Sequence, residues 1–285
     1  MTAEKSDAAT SIGNGSGGRI ECYVDIASFF SYIAVLQLVE MGDLLSQHGV
    51  QVDIYPVLLG AINAGSGNKP PWTVAAKAAY LAHDSNRAKR LVGLDPAHVQ
   101  APRDLFRAAR TQSANRALTY ISAHFPAETY RAAMLGLFAK FWTVTPGAQD
   151  DPEKDQAARD LTAAEKVGAA LAELTLEEEE ERDGISNEAA TTTKKKEKEN
   201  LFTSSQVEQI VQAAESGEYK ARLKARTEEA LARGAFGAPW FWITGANGKS
   251  KPVFGSDRWH AIFDILGLPY TKLALQPPRS GESKL

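Results

Sequence analysis

Strand-forming sequence in this chain is confined to two short blocks, one near each end, with a long helix-forming stretch between them. That division limits the fold more than any composition figure does. In the first block Ile20–Asp25 alternates loosely and carries Tyr and Val, which predicts a strand. From Ser28 the period changes. Phe30, Ala34, Leu38, Met41 and Leu45 recur at helical spacing, with Gln37, Glu40 and Gln47 on the opposite side. An amphipathic helix capped by a serine is expected there. Val50–Leu59 is β-branched and apolar enough for a second strand, so the first block makes a parallel, right-handed strand–helix–strand unit. The second block holds Trp240–Thr244 and Lys251–Phe254, joined by Gly245-Ala246-Asn247-Gly248, whose Asn-Gly is a strong hairpin signal. A closing helix is predicted over Ser256–Leu266.

Between the blocks, Gly60–Trp72 reads as a loop containing Pro70-Pro71. Helices are predicted over Thr73–Val92, Arg103–Phe125, Glu128–Thr143, Arg159–Leu174 and Ser204–Arg233. Glu177–Asn200 differs from them, with a run of glutamates followed by Lys194-Lys195-Lys196 and no apolar face. It is expected to be a mobile surface insertion, and a docking surface is its functional reading. The order βαβ, helical block, ββα predicts an α/β protein of thioredoxin-like fold. Its sheet draws on both blocks, and a large all-helical domain is inserted between the two halves. The corresponding boundaries are a tail at 1–18, the two thioredoxin-like halves at 19–71 and 235–270, and the helical domain at 72–234 with its charged insertion at about 177–200, followed by a C-terminal tail at 271–285.

Composition narrows the classes of function. A net charge of −3 gives no basic surplus for nucleic acid or an anionic membrane surface. No apolar run is long enough to cross a bilayer. The single cysteine, Cys22, has no partner within the chain, which fits a reducing compartment and excludes a disulfide framework or a Cys-rich zinc site. Met1–Gly18 lacks the apolar core of a secretory signal. The chain ends in Ser283-Lys284-Leu285, the tripeptide read by the peroxisomal import receptor at a free C-terminus, so peroxisomal import is expected, with a cytoplasmic location as the alternative.

The chemistry concentrates at two junctions. Ser28-Phe29-Phe30-Ser31 stands where thioredoxin-like redox enzymes carry Cys-x-x-Cys, and Cys22 lies before the helix without a partner, so disulfide exchange is discarded. Ser28 begins a helix, where unpaired N–H groups and the positive dipole end favour an anion. A simple cap is its other reading. Ala238-Pro239 precedes the third strand, where this fold holds a cis peptide bond; a strand-edge proline is the alternative. In the cis form the Ala238 backbone would face the cleft, ready to pair with a peptide-like ligand.

Taken together, "VDIASFFSYIA", "GSGNKPPW", "GAFGAPWFWI" and "FGSDRWHAIFDILG" resemble the kappa-class glutathione transferases, relatives of bacterial DsbA and of 2-hydroxychromene-2-carboxylate isomerase. The resemblance covers nearly all of Arg19–Tyr270 apart from the charged insertion. It implies a detoxifying enzyme that uses glutathione as co-substrate, without a metal, to attack a hydrophobic electrophile, and it implies a homodimer. Its catalytic residue would be Ser28, donating a hydrogen bond to the glutathione sulfur, while Ser31 serves packing. Glutathione contacts carry over to Phe29, Phe30, Asn68, Lys77, Ala238, Pro239, Gly255, Ser256 and Asp257. Lys77 would meet the glycyl carboxylate. The Ser256 and Asp257 backbone N–H groups, taken as the start of the last helix, would meet the γ-glutamyl carboxylate, and the Asp257 carboxylate its ammonium. Trp72, Tyr80 and Trp142 are either walls of the second-substrate site or core. Phe29-Phe30 stand where the family commonly has proline and tyrosine, which makes the pocket more apolar and removes a hydroxyl contact. Two further functions fit the same residues: a glutathione-dependent cis–trans isomerase of the chromene-carboxylate type, and a non-catalytic glutathione-binding protein of the peroxisome.

Overall fold

The computed structural model describes residues 17–175 and 199–273. The expected tail ahead of residue 17, nearly all of the charged insertion, and the terminal Ser283-Lys284-Leu285 lie outside the described residues.

The two strand blocks meet in one four-stranded sheet of order β2-β1-β3-β4, formed by β1 (Gly18–Val24), β2 (Val50–Pro56), β3 (Trp240–Gly245) and β4 (Ser250–Phe254). β1 pairs with β2 in parallel and with β3 antiparallel, and β3 and β4 form the hairpin announced by Asn247-Gly248. Register assigns each face. Cys22 lies opposite Ile54 and Phe241, and these join the main core, whereas Tyr23 lies opposite Tyr55 and Trp240 on the other face. Alternation along strands is what separates the two sets. Burial holds the Cys22 thiol well above its ordinary pKa, so it is no nucleophile.

Connecting β1 to β2 are α1 (Phe29–Glu40) and α2 (Gly42–Gln47). α1 touches β1, α4 (Ala75–Leu91) and α7 (Ala127–Trp142), so it is enclosed on several sides. That corrects the expected polar face of α1: Gln37 is buried, at 6% exposure. A second correction follows β2. The segment expected to be loop forms α3 (Leu59–Ser66), because Ile62 is buried under α11 (Gly217–Ala232) and the Leu59 N–H is held by the carboxylate of Asp25.

The helical block continues through α5 (Leu105–Ala108), α6 (Gln112–His124), α8 (Pro152–Ala158), α9 (Ala164–Ala172) and α10 (Ser204–Glu215). Two predicted helices, Arg103–Phe125 and Arg159–Leu174, are therefore shorter pieces. α10 starts with a capping box between Thr203 and Gln206. The chain on either side of residues 176–198 is joined by a bridge between Thr175 and Asn200 and by Leu201 N–H donating to Leu174 O at 2.8 Å. After β4 the final helix, α12, spans Trp259–Leu266, three residues later than expected at its start. Gly255 adopts φ +93°, a conformation L side chains rarely adopt, and this turns the chain at Ser256-Asp257 before the helix begins. No helix of the described residues is long and apolar enough to cross a membrane.

Candidate functional site

The junction between β1 and α1 is built around Asp25. Its backbone carbonyl accepts the Ser28 N–H at 2.9 Å, and its carboxylate accepts the Ala27 N–H at 3.0 Å, closing a tight turn. The same carboxylate accepts the Leu59 N–H at 2.7 Å, the Thr111 hydroxyl at 2.7 Å and the Asn115 amide at 2.8 Å. One buried side chain thus ties the turn to the first N–H of α3 and to the start of α6. Desolvation is the larger influence on this carboxyl and raises its pKa, while the four donors pull it back down.

The turn delivers Ser28 as the N-cap of α1. Its backbone is extended, at φ −100° and ψ 112°, and its Oγ accepts the Ser31 N–H at 3.2 Å. The Ser28 hydroxyl donates in turn to the Ala238 carbonyl at 2.8 Å. The Ala238–Pro239 peptide is cis. The two junctions singled out in the sequence are therefore joined by one hydrogen bond. Ser31 is fully buried, as expected of a packing residue, and its Oγ lies 3.5 Å from the Asp25 N–H.

A second link crosses the cleft. α3 ends at Gly67, whose φ of +73° releases the chain into Asn68. The Asn68 amide donates to Phe236 O at 2.6 Å, and its Oδ1 accepts the Lys69 N–H at 2.8 Å. The 68–72 loop is thus moored to the segment that leads into Pro239.

These segments surround a cleft of about 1060 Å³. Ser28, Phe29, Phe30, Asn68, Lys77, Ala238, Pro239, Gly255, Ser256 and Asp257 all line it, although they come from residues 28 to 257 of the chain. Trp72, Tyr80 and Trp142 line it too. Trp142 is both wall and core, being 4% exposed with its Nε1 donating to Ile26 O at 2.9 Å. Phe29 packs edge-to-face on Trp142 and Phe30, giving the cleft an aromatic floor beside Ser28. Its charged lining comprises Lys69, Lys77, Arg87, Lys89 and Arg258 against Asp84 and Asp257, a surplus of cations.

One expected contact takes a different form. Ser256 and Asp257 precede α12 in a turn rather than opening the helix, and Arg258 occupies the N-cap position. The Asp257 carboxylate is paired with the adjacent Arg258 guanidinium, so a ligand ammonium would have to share or displace that partner. Ser256 is buried, at 5% exposure, beside Gly255.

Sequence reasoning missed the supporting residues. Asp25 carried a weak signal, an acid closing a largely apolar strand three residues before a predicted cap, but Thr111 and Asn115 carried none. Phe236 moors Asn68 through its backbone, which no side-chain pattern announces.

Comparison with known proteins agrees with this architecture. The family model of the DSBA-like thioredoxin domain matches residues 19–202 and 184–267. Glutathione S-transferase kappa 1 of Caenorhabditis elegans is 25% identical over 253 residues, covering 88% of this chain and 92% of that protein. Its counterpart from Homo sapiens is 25% identical over 251 residues, covering 87% of this chain and 90% of that protein. Among solved structures, a 2-hydroxychromene-2-carboxylate isomerase superposes with a TM-score of 0.54 at 18% identity, covering 87% of this chain and 94% of the isomerase, a likeness of fold.

Proposed function

The chain belongs to the DSBA-like thioredoxin-domain family, and from that premise we propose that it is a glutathione transferase of the kappa class, with Ser28 as the residue that activates the glutathione thiolate. The observation that carries this reading is the Ser28 hydroxyl, set at the N-terminus of a twelve-residue helix and bonded across the cleft to Ala238 O at 2.8 Å. A sulfur placed there gains a hydroxyl donor and the positive end of the helix dipole. Both favour the thiolate over the thiol, whose free pKa is near 8.5. When the hydroxyl turns to the sulfur, Ala238 O loses its donor, and a peptide N–H of the ligand is the natural replacement.

The rest of the lining suits the same molecule. Glutathione carries two carboxylates, and the surplus of Lys and Arg around the cleft offsets their charge. Asn68 and Lys77 stand on the α3–α4 side, and Gly255, Ser256 and Asp257 on the β4–α12 turn, so a short extended peptide could be held at both ends. Phe29, Trp72, Tyr80 and Trp142 provide aromatic surface for an apolar electrophile. In the reaction the thiolate forms a carbon–sulfur bond and the leaving group departs with the bonding pair. The protein supplies thiolate, orientation and a largely apolar cavity. Incubation with glutathione and an aryl halide tests the proposal: net loss of free thiol with thioether formation supports it, and binding without loss of thiol overturns it. An isomerase would turn over its substrate and leave the thiol count unchanged. Homodimer formation rests on the family resemblance, and delivery to the peroxisome rests on Ser283-Lys284-Leu285; both belong to the same proposal.

A further inference from the structure

Lys89 lines the cleft but is not among the residues proposed to contact glutathione. It lies in the last turn of α4, between residues open to solvent or partly so, yet it is only 7% exposed. Lysine is rarely buried to that degree without a charged partner. Among the described residues its ammonium has one hydrogen-bond partner, Asn86 Oδ1 at 3.1 Å, and no ion-pair partner. The Nζ also stands 5.6 Å from the centroid of the Phe29 ring, in cation–π range. An ammonium has three protons to donate, and one amide oxygen with one ring face leaves it under-satisfied. Burial accordingly lowers its pKa.

A charge complementing the C-terminal end of the α4 dipole would be the ordinary explanation for a lysine here. The geometry runs the other way, because the side chain reaches back toward Asn86, one turn earlier, and inward over Phe29. Lys69 and Lys77 are exposed, whereas Lys89 is buried in the wall of the cleft, with its ammonium over the Phe29 ring that would carry the second substrate.

We propose that Lys89 is a specificity-determining residue that binds an acidic oxygen on the second substrate, so that the enzyme selects apolar electrophiles carrying a carboxylate. This rests on reading the cleft as a two-substrate site. A flat apolar body would lie against Phe29 and Trp142, with its carboxylate completing the coordination of the Lys89 ammonium. The carboxylate takes no part in bond making; it fixes which end of the electrophile faces the sulfur.

The test uses two isosteric probes, naphthalene carboxylate and naphthalene carboxamide, titrated calorimetrically into the full chain. The wild type should bind the carboxylate at least about tenfold more tightly than the amide, the worth of a charge-assisted hydrogen bond. Lys89→Met should abolish that preference and Lys89→Arg should retain it. Replacing a buried cation that has no ion-pair partner by methionine removes a desolvation penalty that offsets the lost bond to Asn86, so the variant should melt at or above the wild-type temperature. Lys89→Gln, uncharged but still able to donate to Asn86, must give the same loss. Equal wild-type affinity for the two probes, or a preference that survives in both uncharged variants, overturns the proposal. Glutathione titrated into the same samples keeps the two readings separate. A wild type that does not bind glutathione contradicts the transferase reading, and the probe comparison still decides the role of Lys89.

Discussion

Replacing Ser28 by alanine removes one hydroxyl that has two structural partners and one proposed chemical partner. Structurally, the Ser31 N–H loses its cap and the Ala238 carbonyl, in a residue 8% exposed, loses its donor. An N-cap is worth about 1 kcal/mol and an unsatisfied buried carbonyl about 1–3 kcal/mol, so unfolding in urea should show a loss of roughly 2–4 kcal/mol. Chemically, the variant lacks the donor to the sulfur anion. A hydrogen bond to a charged group contributes about 1.5–3 kcal/mol, which corresponds to roughly a 10- to 150-fold loss in kcat/KM. The same energy should raise the pKa of the bound thiol by about 1–2 units. The assay is a pH–rate profile for kcat/KM with an aryl halide, run on variant protein shown by circular dichroism to be folded. The ascending limb should move to higher pH, and saturating glutathione should not restore the rate. A folded Ser28→Ala variant with the wild-type rate and an unmoved limb would refute the catalytic assignment and leave Ser28 as a cap.

Three further outcomes are expected. Asn68→Ala, which also breaks the mooring to Phe236 O, and Lys77→Ala should each weaken glutathione binding in calorimetry, the lysine effect shrinking with added salt; unchanged affinity in both would remove the α3–α4 side from the site. Asp25 has a folded pKa raised above its ordinary 3.8, so its favourable contribution is present in full below that value and is lost as pH rises through the folded pKa. The stability advantage of the wild type over Asp25→Asn should therefore shrink with rising pH across that window in urea titrations, and an advantage that grows with pH would contradict this ionisation. A fluorescent fusion ending in Ser283-Lys284-Leu285 should give peroxisomal puncta that disappear on deletion of Leu285; puncta that persist would exclude the tripeptide as the signal.

The sheet was readable in sequence because strand signals are local. Alternation in Ile20–Asp25 and the Asn247-Gly248 turn required no knowledge of distant residues, and both fell within two residues of the observed strands. The serine cap was readable for the same reason, whereas the cis form of Ala238-Pro239 was expected only from the fold pattern around it. What escaped depends on partners remote in the chain. α3 is rich in Gly, Asn and Ser and reads as loop, but its Leu59 N–H is held by Asp25, 34 residues earlier, and Gly65 packs against Leu231 of α11. Gln37 was assigned to a polar face because periodicity cannot show that a helix is covered on several sides. At the site, residues that touch the cleft could be assigned by motif, whereas Thr111 and Asn115, which hold the Asp25 carboxylate behind Ser28, follow only from three-dimensional contact. Lys89 was hidden for a related reason, since a lysine on an Ala-rich helix carries no sign of burial.

The central claim is that this cleft binds glutathione and holds its sulfur as thiolate. The most direct measurement is the ultraviolet thiolate absorbance of glutathione bound at saturating protein, followed as a function of pH and compared with free glutathione. The account predicts an apparent pKa for the bound thiol clearly below the free value near 8.5, and a shift that is largely lost in Ser28→Ala. Glutathione that binds with an unshifted thiol, or that does not bind, would contradict it.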